Sequence, residues 1–396
     1  MGAGAGAGAG TSAGAGAGAG AGMGAGTSAG AGTGVGAGAG AGAGAKQTPR
    51  EVLESVLRGV APERLPTTAS ASSVAIRKAG YTFEQFLRVD PRERARLEYD
   101  TALAYGGDYL AGGFWGTLAV EALGGRIKFR EHGSPDVCAP LIENIADIDR
   151  IDITAIRRHP YYRIALDTTK LLFGLGDGKF NNQVGSWGIF TQAGLYYGAE
   201  KLLRGCLRDK SAIRALLDFT LEAFKYSQEE FVGLGATVGG SADPTASGDM
   251  ISRGVFEEFA LPYLQKTYDW FKSKGLSTTL HICGDINDRI DLIPDTHTDI
   301  LSVDYKVDIA RAARILDGRV AIGGNADPAS VILAQTPEAI TAAYQKIIDD
   351  LEGYPYIVMP GCGIPHLTPI ENIVAINRLA HSTRPAPYTT AGAGAA

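Results

Sequence analysis

The chain has few of the residues that staple, anchor or charge other proteins. Cysteine occurs 4 times in 396 residues. That is too sparse for a disulfide framework, so reactive or metal-bound thiols in a reducing compartment, the cytoplasm, are expected. No apolar run approaches the roughly 18 residues of a membrane span. The amino end lacks the charged and apolar parts of a secretion signal. Lysine and arginine total 37 against 43 acidic residues, a formal net charge of -6. With no basic block and no basic-aromatic interleaving, a nucleic-acid partner is not expected. Gly233-x-Gly235 and Gly239-Gly240 do not make a Gly-x-Gly-x-x-Gly turn opening a helix, so a dinucleotide site is unsupported.

What is present divides into two parts. Residues 1–45 alternate glycine and alanine and hold 20 of the 54 glycines, so the glycine excess belongs largely to this low-complexity segment. Such a segment has almost nothing to bury and a high ordering entropy, and a disordered tail is expected. Residues 48–385 read as one domain. It opens on Thr48-Pro49-Arg50-Glu51, a capping box with proline at the first helical position. From about Gln183 to Ala380, a short Val/Ile/Leu-rich strand, a polar residue at its carboxyl end and a helix recur at least five times. This alternation implies a largely parallel sheet covered on both faces. Residues 67–76 and 108–110 are weaker strand candidates that bring the number to about eight. The expected fold is therefore α/β, a (β/α)8 TIM-type barrel whose active groups gather at the carboxyl ends of its strands.

At those ends stand His281, Cys283, Asp304, Asn325, Asp327 and Cys362. His281 and Cys283 are two apart on an extended run and share a face. Cys362 lies in Gly361-Cys362-Gly363, where the glycines let backbone turn and approach closely. Two thiolates and an imidazole suit zinc, with one position left for chemistry. The plain alternative is two small buried cysteines and a satisfied core histidine. Asp304 is a candidate oxygen ligand, a partner to His281, or a cap for the helix after Lys306. Asp243-Pro244 and Asp327-Pro328 form a similar pair, acting either as acid, base or positioning groups or as simple turns before helices. Asn325 reads equally as a substrate contact or a turn former. Cys206 reads as helix packing. Asp295-Thr296-His297 begins like a cobalamin signature, but Ile300 stands where that signature has glycine.

Several of these motifs together resemble the uroporphyrinogen decarboxylase superfamily, and in particular its corrinoid-linked methyltransferase branch. They are Arg64-Leu65-Pro66, Ala242-Asp243-Pro244-Thr245-Ala246-Ser247, Gly324-Asn325-Ala326-Asp327-Pro328, Gly361-Cys362-Gly363-Ile364-Pro365 and Thr368-Pro369-x-Glu371-Asn372. The resemblance implies zinc held by His281, Cys283 and Cys362, while Asp243, Asp304 and Asn325 are the catalytic candidates from their places at strand ends. It implies methyl transfer between a cobalt corrinoid and a thiol, tetrahydrofolate or a small methylated substrate. Methylcobalamin or a corrinoid on a small partner protein is the implied co-substrate. The alternative within the superfamily is a porphyrinogen decarboxylase. Its arginine-rich amino-terminal segment is matched here only by Ile76-Arg77-Lys78-Ala79-Gly80-Tyr81, which lacks the second arginine.

Overall fold

The computed structural model describes residues 46–131 and 133–389. The Gly-Ala segment, expected as a disordered tail, lies outside them. Nine strands follow in chain order: β1 (Tyr109–Ala111), β2 (Arg126–Lys128), β3 (Asp136–Ala139), β4 (Asn181–Trp187), β5 (Val238–Ala242), β6 (Ser277–Ile282), β7 (Ile300–Val303), β8 (Ala321–Ala326) and β9 (Tyr356–Pro360). Seven make one parallel sheet in the order β1-β4-β5-β6-β7-β8-β9, while β2 and β3 pair separately as an antiparallel ribbon. The sheet curls, and helices cover its outer face. The alternation within β6 shows why. Thr278, Leu280 and Ile282 are fully buried, while Ser277, Thr279 and His281 are half-buried. Each fully buried Leu or Ile contributes roughly 1.5–3 kcal/mol of apolar burial.

The eighth position departs from the expectation for residues 67–76. Only Thr67 bridges to Val358 of β9, and Ser72–Lys78 is a helix that buries Val74, Ala75 and Ile76. The closure toward β1 is made by a side chain. Asp108, just before β1, accepts from both terminal guanidinium nitrogens of Arg64 (2.7 and 2.8 Å) and from the Thr67 amide (2.9 Å). The barrel is therefore seven laddered strands plus a short extended piece pinned by a buried carboxylate.

The helix before β6 starts at Arg253, widens into a π-helical turn at Phe256–Ala260 and continues as Leu261–Ser273. Pro262 then falls in a first α-helical turn, where its missing N–H is not needed. Two helices follow β4, Ile189–Tyr197 and Ala199–Arg208, broken at Gly198. Cys206 is buried in the second, consistent with packing. Among the described residues, no helix is long and apolar enough to cross a membrane.

Candidate metal centre

Parallel register carries the site. Ala242, His281, Ser302 and Gly323 stand side by side on β5, β6, β7 and β8, so the carboxyl ends of these strands meet at one level. Just past that level, β6 delivers Cys283 and β9 delivers Cys362. The two sulfurs lie 2.8 Å apart as free thiols. One donor atom from each of His281, Cys283 and Cys362 falls within 4.8 Å of the others. The two cysteines and the histidine are therefore neighbours rather than separate positions in the core.

The turns around them need glycine. A Cβ on Gly361 would meet the Asn325 carbonyl and the Tyr305 amide, both at 2.9 Å, so only glycine lets β9 pass there into the Cys362 turn. Gly284, after Cys283, has φ +110°, a conformation that L side chains rarely adopt.

Three neighbours set the chemistry. His281 Nδ1 lies 3.2 Å from the Ser302 carbonyl and 3.1 Å from its hydroxyl, while its Nε2 is buried, with the Cys362 sulfur as its neighbour and no nitrogen or oxygen partner. An Nδ1–H donated to that carbonyl leaves Nε2 as a free lone pair, the usual arrangement of a metal-binding histidine. Asp304 accepts from the Gly284 amide (2.9 Å), the Lys306 amide (2.9 Å) and the Cys283 thiol (3.3 Å). The hydrogen bond between the thiols, helped by the nearby imidazole, holds Cys362 well below the ordinary thiol range. The same hydrogen bond, with burial and the Asp304 charge, pushes Cys283 up. Cys362 is therefore the more acidic thiol of the two.

The donor set fits zinc: two sulfurs, one unsatisfied buried nitrogen and second partners already in place. These three residues would hold the ion, and it would supply a Lewis-acid position beside the cavity.

The remaining expected residues separate. Asp304 partners Cys283 rather than His281, and the helix Ile309–Leu316 is capped by Asp308. Asn325 is buried, and its amide nitrogen donates to the carbonyls of Asp304 and Val307, tying the loops of the site together. Asp327 caps the turn at Pro328 through the amides of Ala329 and Ser330, the turn role. Asp243 is buried and accepts from the amides of Phe190 and Thr191 and from the Thr191 hydroxyl. Burial nevertheless pushes its carboxyl up to about 6. Ser302 was missed by sequence reasoning. Its signal was a lone hydroxyl in the buried run Ile300-Leu301-Ser302-Val303.

The site opens into a cavity of about 290 Å³ running along the barrel interior from Cys362 and His281 past Thr279 and Gln183 to Trp187 and Trp115.

The curled parallel barrel is matched by what the chain is similar to. The profile of the uroporphyrinogen decarboxylase (URO-D) family matches residues 48–383, and the chain belongs to that family. Methylcobamide:CoM methyltransferase MtbA of Methanosarcina mazei is 29% identical over 330 residues, covering 82% of this chain and 95% of the relative. A uroporphyrinogen decarboxylase of Synechococcus is 32% identical over a shorter stretch of 177 residues, 44% of this chain and 49% of the relative. The solved structure of a methyltransferase from Methanosarcina mazei superposes with a TM-score of 0.76. It covers 85% of this chain and 98% of that one at 22% identity, a shared fold.

Proposed function

We propose that this protein is a corrinoid-dependent methyltransferase whose zinc ion is held by His281, Cys283 and Cys362. The observation that carries this reading is the convergence of two thiols and a buried imidazole nitrogen within 4.8 Å of one another. The full-length similarity to a methylcobamide methyltransferase supports it. When bound, zinc lowers the pKa of an incoming thiol, or polarises a methylated donor, at an open coordination position.

The chain's own residues do the rest. Ser302 holds the His281 tautomer, and Asp304 orients Cys283. Asn325 ties the backbone of the Asp304 loop, and Asp243 fixes the start of the helix beside β4. Written in the thiol direction, the S–H proton leaves and a sulfur lone pair forms the S–C bond. The Co–C bonding pair stays on cobalt, which passes from Co(III) to Co(I). With a methylated donor the same balance runs in reverse.

Methylcobalamin, or a corrinoid on a small partner protein, reaches the site from the barrel mouth. Exposed apolar side chains there, Met250 after β5, Tyr305 after β7 and Leu367 after β9, support protein docking. The reading also places the protein in a reducing compartment, the cytoplasm, where adjacent thiols stay reduced.

The test is elemental analysis of freshly purified reduced protein, with methylcobalamin absorbance followed in the presence of thiols. About one zinc per chain is expected, lost in Cys283→Ala and Cys362→Ala. Metal-free, unreactive wild-type protein would overturn the proposal.

A further inference from the structure

The cavity that leads to the metal centre has an unusual lining. Around it stand Thr68, Tyr109, Thr117, Gln183, Ser241, Thr279, His281 and Ser302, the glycines of β4 and β5, two tryptophans and Met359. None of its described lining residues is Asp, Glu, Lys or Arg.

The nearby charges that could have served it are engaged elsewhere. Lys306 is paired to Asp249 at 2.9 Å on the outer rim. Arg77 donates from Nε to the His366 carbonyl. The start of the helix Ile189–Tyr197, which could have received an anion, is already filled by the carboxylate of Asp243. An anionic group carried into this space would lose its hydration without meeting a cationic side chain.

The lining offers rigid flat surface instead. Trp115 stacks on Phe83 with centroids 4.3 Å apart and planes at 18°, and Trp187 donates from its indole nitrogen to the Thr117 hydroxyl at 3.3 Å. Both indoles are held before any ligand arrives, which lowers the ordering cost of binding. Two further lining residues, Tyr109 and Ser186, carry hydroxyls with no hydrogen-bond partner. At about 290 Å³ the space lies at the small end of ligand sites, which run from roughly 300 to 1,000 Å³.

We propose that the small molecule exchanging its methyl group here is uncharged and ring-sized. Its reactive sulfur or oxygen lies at the Cys362–His281 end, and its flat body lies against Trp115 and Trp187. This deepens the methyltransferase reading and rests on it for the word "methyl"; the shape and neutrality of the site stand without it. It also sets this chain apart from the relative whose name carries coenzyme M, since coenzyme M bears a sulfonate.

The test is calorimetric titration of the full-length reduced protein, with no corrinoid present, against pairs of thiols that differ in charge. One pair is 4-(hydroxymethyl)thiophenol and 4-mercaptobenzoate; the other is 2-mercaptoethanol and 2-mercaptoethanesulfonate. In each pair the neutral thiol is expected to bind roughly tenfold tighter or more. Trp187→Phe is expected to weaken the neutral aromatic thiol severalfold while leaving 2-mercaptoethanol nearly unchanged. Ser134→Lys, at the rim of the cavity, is expected to shift the ratio toward the anions.

Equal or tighter binding of the anions overturns the proposal, as does binding of no thiol. Anion binding that disappears in Arg77→Gln overturns it by showing that the rim arginine supplies the missing charge. Tight binding of the neutral thiol with no methyl transfer from methylcobalamin defeats the methyltransferase reading alone and leaves the neutral cavity standing.

Discussion

Two clusters of polar groups sit at opposite ends of the same barrel. At the amino end of β1, Asp108 is 1% exposed and meets four donors: both terminal nitrogens of Arg64, the Thr67 amide and His381 Nε2 at 3.2 Å. Burial pushes that carboxyl up, but the hydrogen bonds from His381 and Arg64 outweigh it and hold the group below its ordinary range. At the carboxyl end of β6, His281 turns a buried nitrogen that has no nitrogen or oxygen partner toward two thiols 2.8 Å apart. The first cluster is saturated and serves as a clasp between Thr67 and β1. The second is unsaturated and so retains capacity to bind. The difference teaches that a buried polar group identifies a reactive site by what it lacks, since a complete set of partners leaves nothing for a ligand to supply.

The largest expected effect is at the clasp. Arg64→Ala strands the Asp108 charge and is expected to cost about 3–5 kcal/mol in urea unfolding. Zinc per folded chain should remain as in the parent. Loss of metal in step with stability would erase the distinction between the two ends.

Asp243 tests the intermediate case, a buried carboxylate with hydrogen bonds but no cation. Its pKa is pushed from 3.8 to about 6 in the folded protein. The unfolded chain therefore binds fewer protons across that window, and stability falls as pH rises through it. The contribution is about 3 kcal/mol, present at the acid end and lost by neutral pH. Unfolding measured between pH 4 and 7 should show this slope, and Asp243→Asn should flatten it. An unchanged slope in the variant would show that Asp243 carries no such burden.

A smaller effect is expected from Gly361→Ala, whose added methyl presses on the Asn325 carbonyl and the Tyr305 amide. The cost should be about 1–3 kcal/mol, accompanied by weaker metal retention because the Cys362 turn is displaced. The smallest is Ser302→Ala. It removes one of two partners of His281 Nδ1 and should lower zinc affinity roughly tenfold, read by competition with a chelator. Stability should hardly move. A large stability loss there would make Ser302 a clasp like Asp108.

The barrel was legible because its strands are short buried apolar runs ending in polar residues, each followed by a well-capped helix. His281, Cys283 and Cys362 stood out because cysteine is scarce and glycine flanks one of the two thiols. The eighth strand was misread. Residues 67–76 contain strand-like runs, but Val74, Ala75 and Ile76 bury as a helix against the core. Ser302 and Asp108 were illegible as partners because serine in a strand and aspartate before one carry no label of what lies across the barrel. Asn325, a candidate for substrate contact, spends its amide nitrogen on the carbonyls of Asp304 and Val307, a contact only the folded loops reveal.

What the sequence determined by itself is local: the order of strands and helices, the polar strand ends, the turns that only glycine permits, and the supply of soft donors. Those follow from periodicity, capping and backbone sterics, which act over a few residues. Tertiary structure alone brings thiols 79 residues apart to 2.8 Å, sets Ser302 against His281, and leaves the cavity beside them with no Asp, Glu, Lys or Arg among its described lining residues. Those depend on parallel register and barrel closure, where residues distant along the chain become neighbours, and no local pattern encodes which ones.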